Sequence, residues 1–170
     1  MQPGQIMKAL ALALFLGLSA GAAAQGDFSA RVLALHNAER SELGLPPLAW
    51  SDTLAAQSAV WANRLAELRV FGHSPHEMRP GQGENLWMGT AGAFSLDDMV
   101  GAWSDEKRMY RYGRLPVVTT SSEWHVVGHY TQMIWRDTTE VGCALVRANG
   151  ADYLVCRYSP PGNVYGEWPY

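Results

Sequence analysis

Four side chains of this 170-residue chain have the types that hold a divalent metal or move protons: His73, Glu84, Glu106 and His129. Glu106 carries the strongest signal. It follows Trp103 by three positions and precedes Tyr110 by four, so Met99, Trp103, Glu106 and Tyr110 share one helical face. A carboxylate on an apolar stripe faces a core or a cleft, where it needs a partner because an unpaired buried charge is costly. Its neighbours Asp105 and Lys107 point away, toward solvent. His73, Glu84 and His129 each follow a glycine, which lets backbone pass close to a neighbour. Two imidazoles and two carboxylates suit zinc or a similar ion. They equally suit acid–base work, since histidine titrates near neutrality and a crowded glutamate is raised toward it. Spacing alone does not bring four separate segments together.

The elements that must position them are legible in part. A first helix starts at Asp27-Phe28-Ser29, carries Phe28, Val32, Leu35 and Ala38 on one side, and stops at Gly44-Leu45-Pro46-Pro47. Ser51 or Asp52 caps a second, with a stripe of Leu54, Ser58, Trp61, Ala62, Leu65 and Leu68. Residues 71–93 are rich in Gly and read as loop with short extended pieces. Ser95 caps a third helix, residues 111–122 are loop, and a short helix or turn leads into Met133-Ile134-Trp135. Segments 141–147 and 153–158 have strand composition around an Asn149-Gly150 turn. Neither alternates between apolar and polar, as in a strand buried on both faces. The expected fold is therefore α+β, a sheet with helices on both sides in three layers.

At the N-terminus, Lys8 precedes an apolar run from Ala9 to Leu18 and a small-residue site ending at Ala24. This is the pattern of a cleaved secretory signal peptide over residues 1–24, with Met7 as an alternative start. The run is short for a bilayer span. One domain, 25–170, follows. Without Lys8 it holds 12 basic and 16 acidic residues, a net charge near −4. That argues against nucleic acid, which calls for a basic patch. Cys143 and Cys156 lie symmetrically about the Asn-Gly turn, so a hairpin there sets them opposite each other. Export permits a disulfide between them. Two buried free thiols are the alternative.

Several motifs join these observations. Gly128-His129-Tyr130-Thr131-Gln132-Met133-Ile134-Trp135 and the stretch from Tyr153 to Val164 resemble the two signatures of the CAP superfamily, which unites cysteine-rich secretory proteins, antigen 5 and plant pathogenesis-related proteins. His36-Asn37-Ala38-Glu39-Arg40, Gly83-Glu84-Asn85-Leu86, Trp103-Ser104-Asp105-Glu106 and Gly166-Glu167-Trp168-Pro169-Tyr170 are similar to further family motifs. The resemblance runs from Phe28 to Tyr170. It implies an α-β-α sandwich of the CAP type in which His73, Glu84, Glu106 and His129 meet in a central cleft and hold a divalent metal, often zinc. It also implies that Asn85, Tyr130 and Gln132 line or brace the cleft. His36 is expected to be structural, Asn37 and Arg40 to tie their helix to neighbouring backbone, and His76 and His125 to be surface residues. Plant relatives usually carry six cysteines, so with two this chain is expected to hold the loop at 111–126 less firmly. Some members take sterols or lipids through an aromatic loop; Trp87 and Phe94 are the candidates here, with core packing as the other reading.

Three functional readings follow. The first is a secreted or periplasmic binding module for a divalent metal and a lipid, sterol or protein ligand, with no stable membrane insertion. The second is a metal-dependent hydrolase or protease, with Glu106 or His129 as base. The third is a satisfied polar network that braces the cleft while surface loops carry the function.

Overall fold

The computed structural model describes residues 27–170, so the expected signal peptide lies outside the described residues. Helix α1 covers 27–42. It is followed by β1 (Ala49–Trp50), α2 (Asp52–Leu68), β2 (Gly83–Thr90), α3 (Leu96–Ser104), α4 (Gly128–Met133), β3 (Glu140–Ala148) and β4 (Ala151–Ser159). Short 3-10 turns at His76–Met78, Asp105–Arg108 and Trp124–Val127 precede β2, follow α3 and lead into α4. The strands form one sheet in the order β1-β3-β4-β2, with β1 parallel to β3 and the other pairs antiparallel.

The β3–β4 hairpin turns at Asn149 and Gly150, both at positive φ (54° and 80°), as a tight primed turn demands. Its register pairs Cys143 with Cys156, and the two are bonded. Every residue of β4 from Asp152 to Tyr158 is buried, because both faces are covered. On one face α2 packs Trp61, Ala62 and Leu65 against Leu86, Tyr153 and Val155. On the other, Val32 of α1, Met99 and Trp103 of α3 and Met133 of α4 pack against Val141, Leu154 and Tyr158. This is a three-layer α-β-α sandwich. Gly142 lets α2 seat directly on the sheet, since a Cβ there would run into the backbone of Ser51, Leu54 and Ala55.

Caps fall where the sequence places them. Ser51 caps α2 through Leu54 N–H, and Ser95 forms a reciprocal capping box with Asp98 on α3. Three expectations need correction. Residues 83–90 are a full eight-residue strand rather than loop. Leu68 is exposed and Ala66 takes its place in the buried stripe of α2. Ala38 is exposed, and the buried stripe of α1 is Val32, His36 and Arg40. The Arg40 guanidinium reaches the carbonyls of Pro46, Met133, Trp135 and Thr138, which satisfies a buried charge and clamps α1 to the segment after α4. Asn37 exchanges two hydrogen bonds with the Leu48 backbone. The loop after α3 holds itself without extra disulfides. Leu115, Val118 and Val127 form a small core, and the C-terminal segment bonds to Leu115 through Gly166 and Glu167.

Candidate metal centre

The cleft lies across the edge of the sheet at the start of β2, the outermost strand on that side. Consecutive residues of a strand point to opposite faces. Glu84 therefore points to the α2 face, where it holds the segment His73–Ser74, and Asn85 points to the α3–α4 face, where its Nδ2 donates to the His129 carbonyl (3.1 Å). Two neighbouring residues of one strand thus hold the two histidine segments.

The Glu84 side chain is fully buried. Its Oε1 accepts from His73 Nδ1 and from Ser74 N–H, both at 2.9 Å, and its Oε2 accepts from Ser74 Oγ at 2.7 Å. Arg157 and Arg79 add charge at 3.4 and 3.9 Å. Burial pushes this carboxyl up, but the hydrogen bonds from His73 and Ser74 outweigh it and leave it below the usual glutamate range. Glu84 is therefore a carboxylate that can only accept, so His73 Nδ1 carries the proton and Nε2 is the ring's free lone pair.

Glu106, on the 3-10 turn after α3, repeats the arrangement. Its Oε1 lies 2.6 Å from His129 Nδ1, and its Oε2 accepts from the backbone N–H of His129 (2.9 Å) and Tyr130 (3.0 Å). The carboxylate thus caps the start of α4 and aims the ring in one stroke. Trp103 stacks on the His129 ring, with centroids 5.9 Å apart and planes 15° from parallel.

Behind the cleft, His36 Nδ1 donates to its own helix at Val32 O, so Nε2 accepts from Tyr158 Oη (2.8 Å each). Asn85 Nδ2 donates to that same hydroxyl at 3.1 Å. Complete burial lowers the His36 pKa to about 4, which keeps it neutral and structural.

The structure places the four residues as two His–Glu pairs, His73 with Glu84 and His129 with Glu106. His73, Glu84, Asn85 and His129 line one cavity of about 150 Å³. Glu106 stands behind His129 and does not line it. Among the described residues no three His, Cys, Asp or Glu side chains are grouped to hold one ion. Gln132 lines an adjoining cavity of about 460 Å³ and braces it, accepting from Gly162 N–H (2.9 Å) and donating to Thr138 Oγ1 (3.2 Å). Tyr130 is buried against Tyr110 and lines neither cavity. Trp87 and Phe94 pack edge-to-face at 5.2 Å and also line neither. His125 and His76 are exposed, as expected, yet each lines a cavity, as do Arg79 and Trp124. Nothing in the sequence spacing singled out these four as neighbours of the site.

The chain belongs to the CAP family, the cysteine-rich secretory proteins, whose family pattern matches residues 33–158. It is similar to pathogenesis-related protein 1A of Nicotiana tabacum, 38% identical over 160 residues that cover 94% of this chain and 90% of that protein. Pathogenesis-related protein 1A1 of Solanum lycopersicum is 40% identical over 140 residues, covering 78% and 73%. Among solved structures, a crystal structure of NaASP2 with Zn2+ matches with a TM-score of 0.67 at 27% identity, covering 81% of this chain and 82% of that one.

Proposed function

We propose that this chain is an exported one-domain binding protein (residues 25–170, after a leader at 1–24) whose cleft takes a divalent metal, zinc first, on Nε2 of His73 and His129. One observation carries the reading: each ring donates a hydrogen bond from Nδ1 to a carboxylate that backbone N–H groups also hold, and both rings line one cavity. This is the outer-shell arrangement of metal-ligating histidines, which fixes tautomer and orientation and leaves Nε2 for the ion. The residues fit a metal in this form. In this reading two histidines are the ligands, with Glu84 and Glu106 as orienting carboxylates, because each carboxylate is engaged by a ring Nδ1 and by backbone N–H groups, and Glu106 stands behind His129. Bound there, the ion supplies a Lewis-acidic centre with open positions for water or ligand. The similarity to NaASP2, whose structure is described as with Zn2+, supports the choice of metal.

A hydrolase reading has less support. Ser74, the hydroxyl beside His73, is 3% exposed, donates to Glu84 and accepts from Arg157 (3.1 Å), so it is not placed to attack a substrate. Trp87 and Phe94, the candidates for a lipid or sterol, pack on each other and line neither cavity of the cleft. Export agrees with the Cys143–Cys156 bond, which persists in oxidising compartments.

Calorimetric titration of zinc into metal-stripped protein, with His73→Ala and His129→Ala alongside, tests the proposal. One equivalent bound by the parent and lost in both variants supports it; a folded parent that binds none refutes it.

A further inference from the structure

The larger cavity beside the histidine pair, about 460 Å³, has a wall whose free hydrogen-bonding capacity is one-sided. Each of its side-chain amides is held by an internal hydrogen bond. Asn163 donates to Gly128 O and accepts from Thr131 Oγ1, Gln132 is held by Gly162 and Thr138, and Gln82 Nε2 donates to Gln57. Glu84 is the acidic residue among the described lining residues, and its oxygens are occupied by His73 and Ser74. What remains is basic. Arg79 uses Nε on Ser74 O and Nη1 on Gln82 O, and among the described residues its Nη2 and the exposed His76 ring have no partner. Charge agrees with this inventory: Arg79 and Arg157 both stand against the single Glu84 carboxylate, an excess of one positive charge before any histidine is protonated. Trp124 and Pro161 supply flat apolar wall, and Trp124 is steadied by its Nε1 donation to Tyr165 Oη at 2.9 Å.

We propose that this cavity binds a small oxyanion, a carboxylate or phosphate monoester joined to a flat apolar group, with Arg79 and His76 on the anion and Trp124 against the apolar part. Guanidinium is the side chain best shaped for such anions. The cavity shares His73 with the candidate metal centre, so a ligand there sits beside the ion. The anion site does not require the metal, and it is tested without one.

The test uses metal-stripped protein dialysed free of chelator, with the Trp124 indole N–H signal followed by NMR. Phenylacetate, phenyl phosphate and the neutral phenylacetamide are titrated in parallel. The expected result is saturable movement of that signal with one or both anions and none with the amide; which anion binds more tightly identifies the oxyanion. Arg79→Gln and His76→Gln should each weaken binding, Arg79→Gln by about tenfold or more, the worth of one charge-assisted hydrogen bond. His76→Gln removes no hydrogen bond of the fold, so it decides the point if Arg79→Gln fails to fold. No binding of either anion, equal response to the amide, or undiminished binding in the folded variants would overturn the proposal. Because no metal is present, that failure leaves the zinc reading standing, and failure of the zinc titration leaves this one standing.

Discussion

Glu84 Oε1 accepts from the Nδ1 proton of His73 and from the backbone N–H of the next residue, Ser74, at the same 2.9 Å. Glu106 treats His129 and Tyr130 in the same way from the other side of the cleft. Each carboxylate thus holds a histidine ring together with adjoining backbone: Ser74 N–H beside His73, and the N–H groups of His129 itself and Tyr130. The consequence is a pair of aimed Nε2 atoms rather than four competing donors.

Glu84→Gln should destabilise the fold markedly. It removes the buried charge that faces Arg157 and Arg79 and offers N–H toward Ser74 donors. Breaking one side of a buried pair costs about 3 kcal/mol or more. At this size that lowers the melting temperature by about 6–12 °C. Calorimetric or dichroism melts of parent and variant check it, and a parent-like midpoint would contradict the role given to Glu84.

Stability should fall with acid in two stages. His36 has its folded pKa lowered from 6.5 to about 4, so the unfolded chain binds the extra proton between those values. Its contribution is whole above pH 6.5 and is lost as pH drops toward 4, at most ~1.4 kcal/mol per pH unit, or about 3 kcal/mol in all. Glu84 is lowered from its usual 4.5, so its contribution is present above that value and is lost as pH falls through the depressed folded value. Urea melts from pH 7 to 4 should show the first slope, and His36→Gln should flatten it.

Reduction of Cys143–Cys156 should cost about 3 kcal/mol, the loop-closure value for bridging residues 13 apart. Both cysteines are buried, at 1% and 0% exposure, so a thiol reductant should act only as the chain unfolds. Free-thiol release measured with and without denaturant checks this; rapid release from folded protein would contradict it.

Gly142→Ala should destabilise by about 2 kcal/mol by pushing α2 off the sheet, because the new methyl meets backbone rather than a movable side chain. A denaturant midpoint equal to that of the parent would show that α2 gives way freely.

The sequence made the hairpin, the caps and most of the helices legible because each rests on local chemistry: Asn149-Gly150 for the turn, Ser51 and Ser95 for the caps. Strand β2 was hidden because its first half places Glu84 and Asn85 in buried positions while glycines stand at 83 and 89. A Cβ at Gly83 would run into the Gln132 side-chain amide, which would then have to shift. The stripe of α1 was misjudged at Ala38 because two of its buried positions, His36 and Arg40, are polar and are satisfied by partners far along the chain, Tyr158 and Thr138. At the site, the residue types were readable but the atoms were not. Nothing in the spacing shows that the carboxylates serve Nδ1, or that Arg79, His76, Trp124 and His125 border the same cleft.

The most direct test of the account is nitrogen NMR of the His73 and His129 rings as zinc is added to metal-stripped protein. The account predicts that Nε2 of both rings shifts together at one equivalent while both Nδ1 atoms keep their protons, hydrogen-bonded to the carboxylates. If zinc leaves the two Nε2 signals unmoved, or takes the Nδ1 positions and releases Glu84 and Glu106, the two-histidine site is wrong.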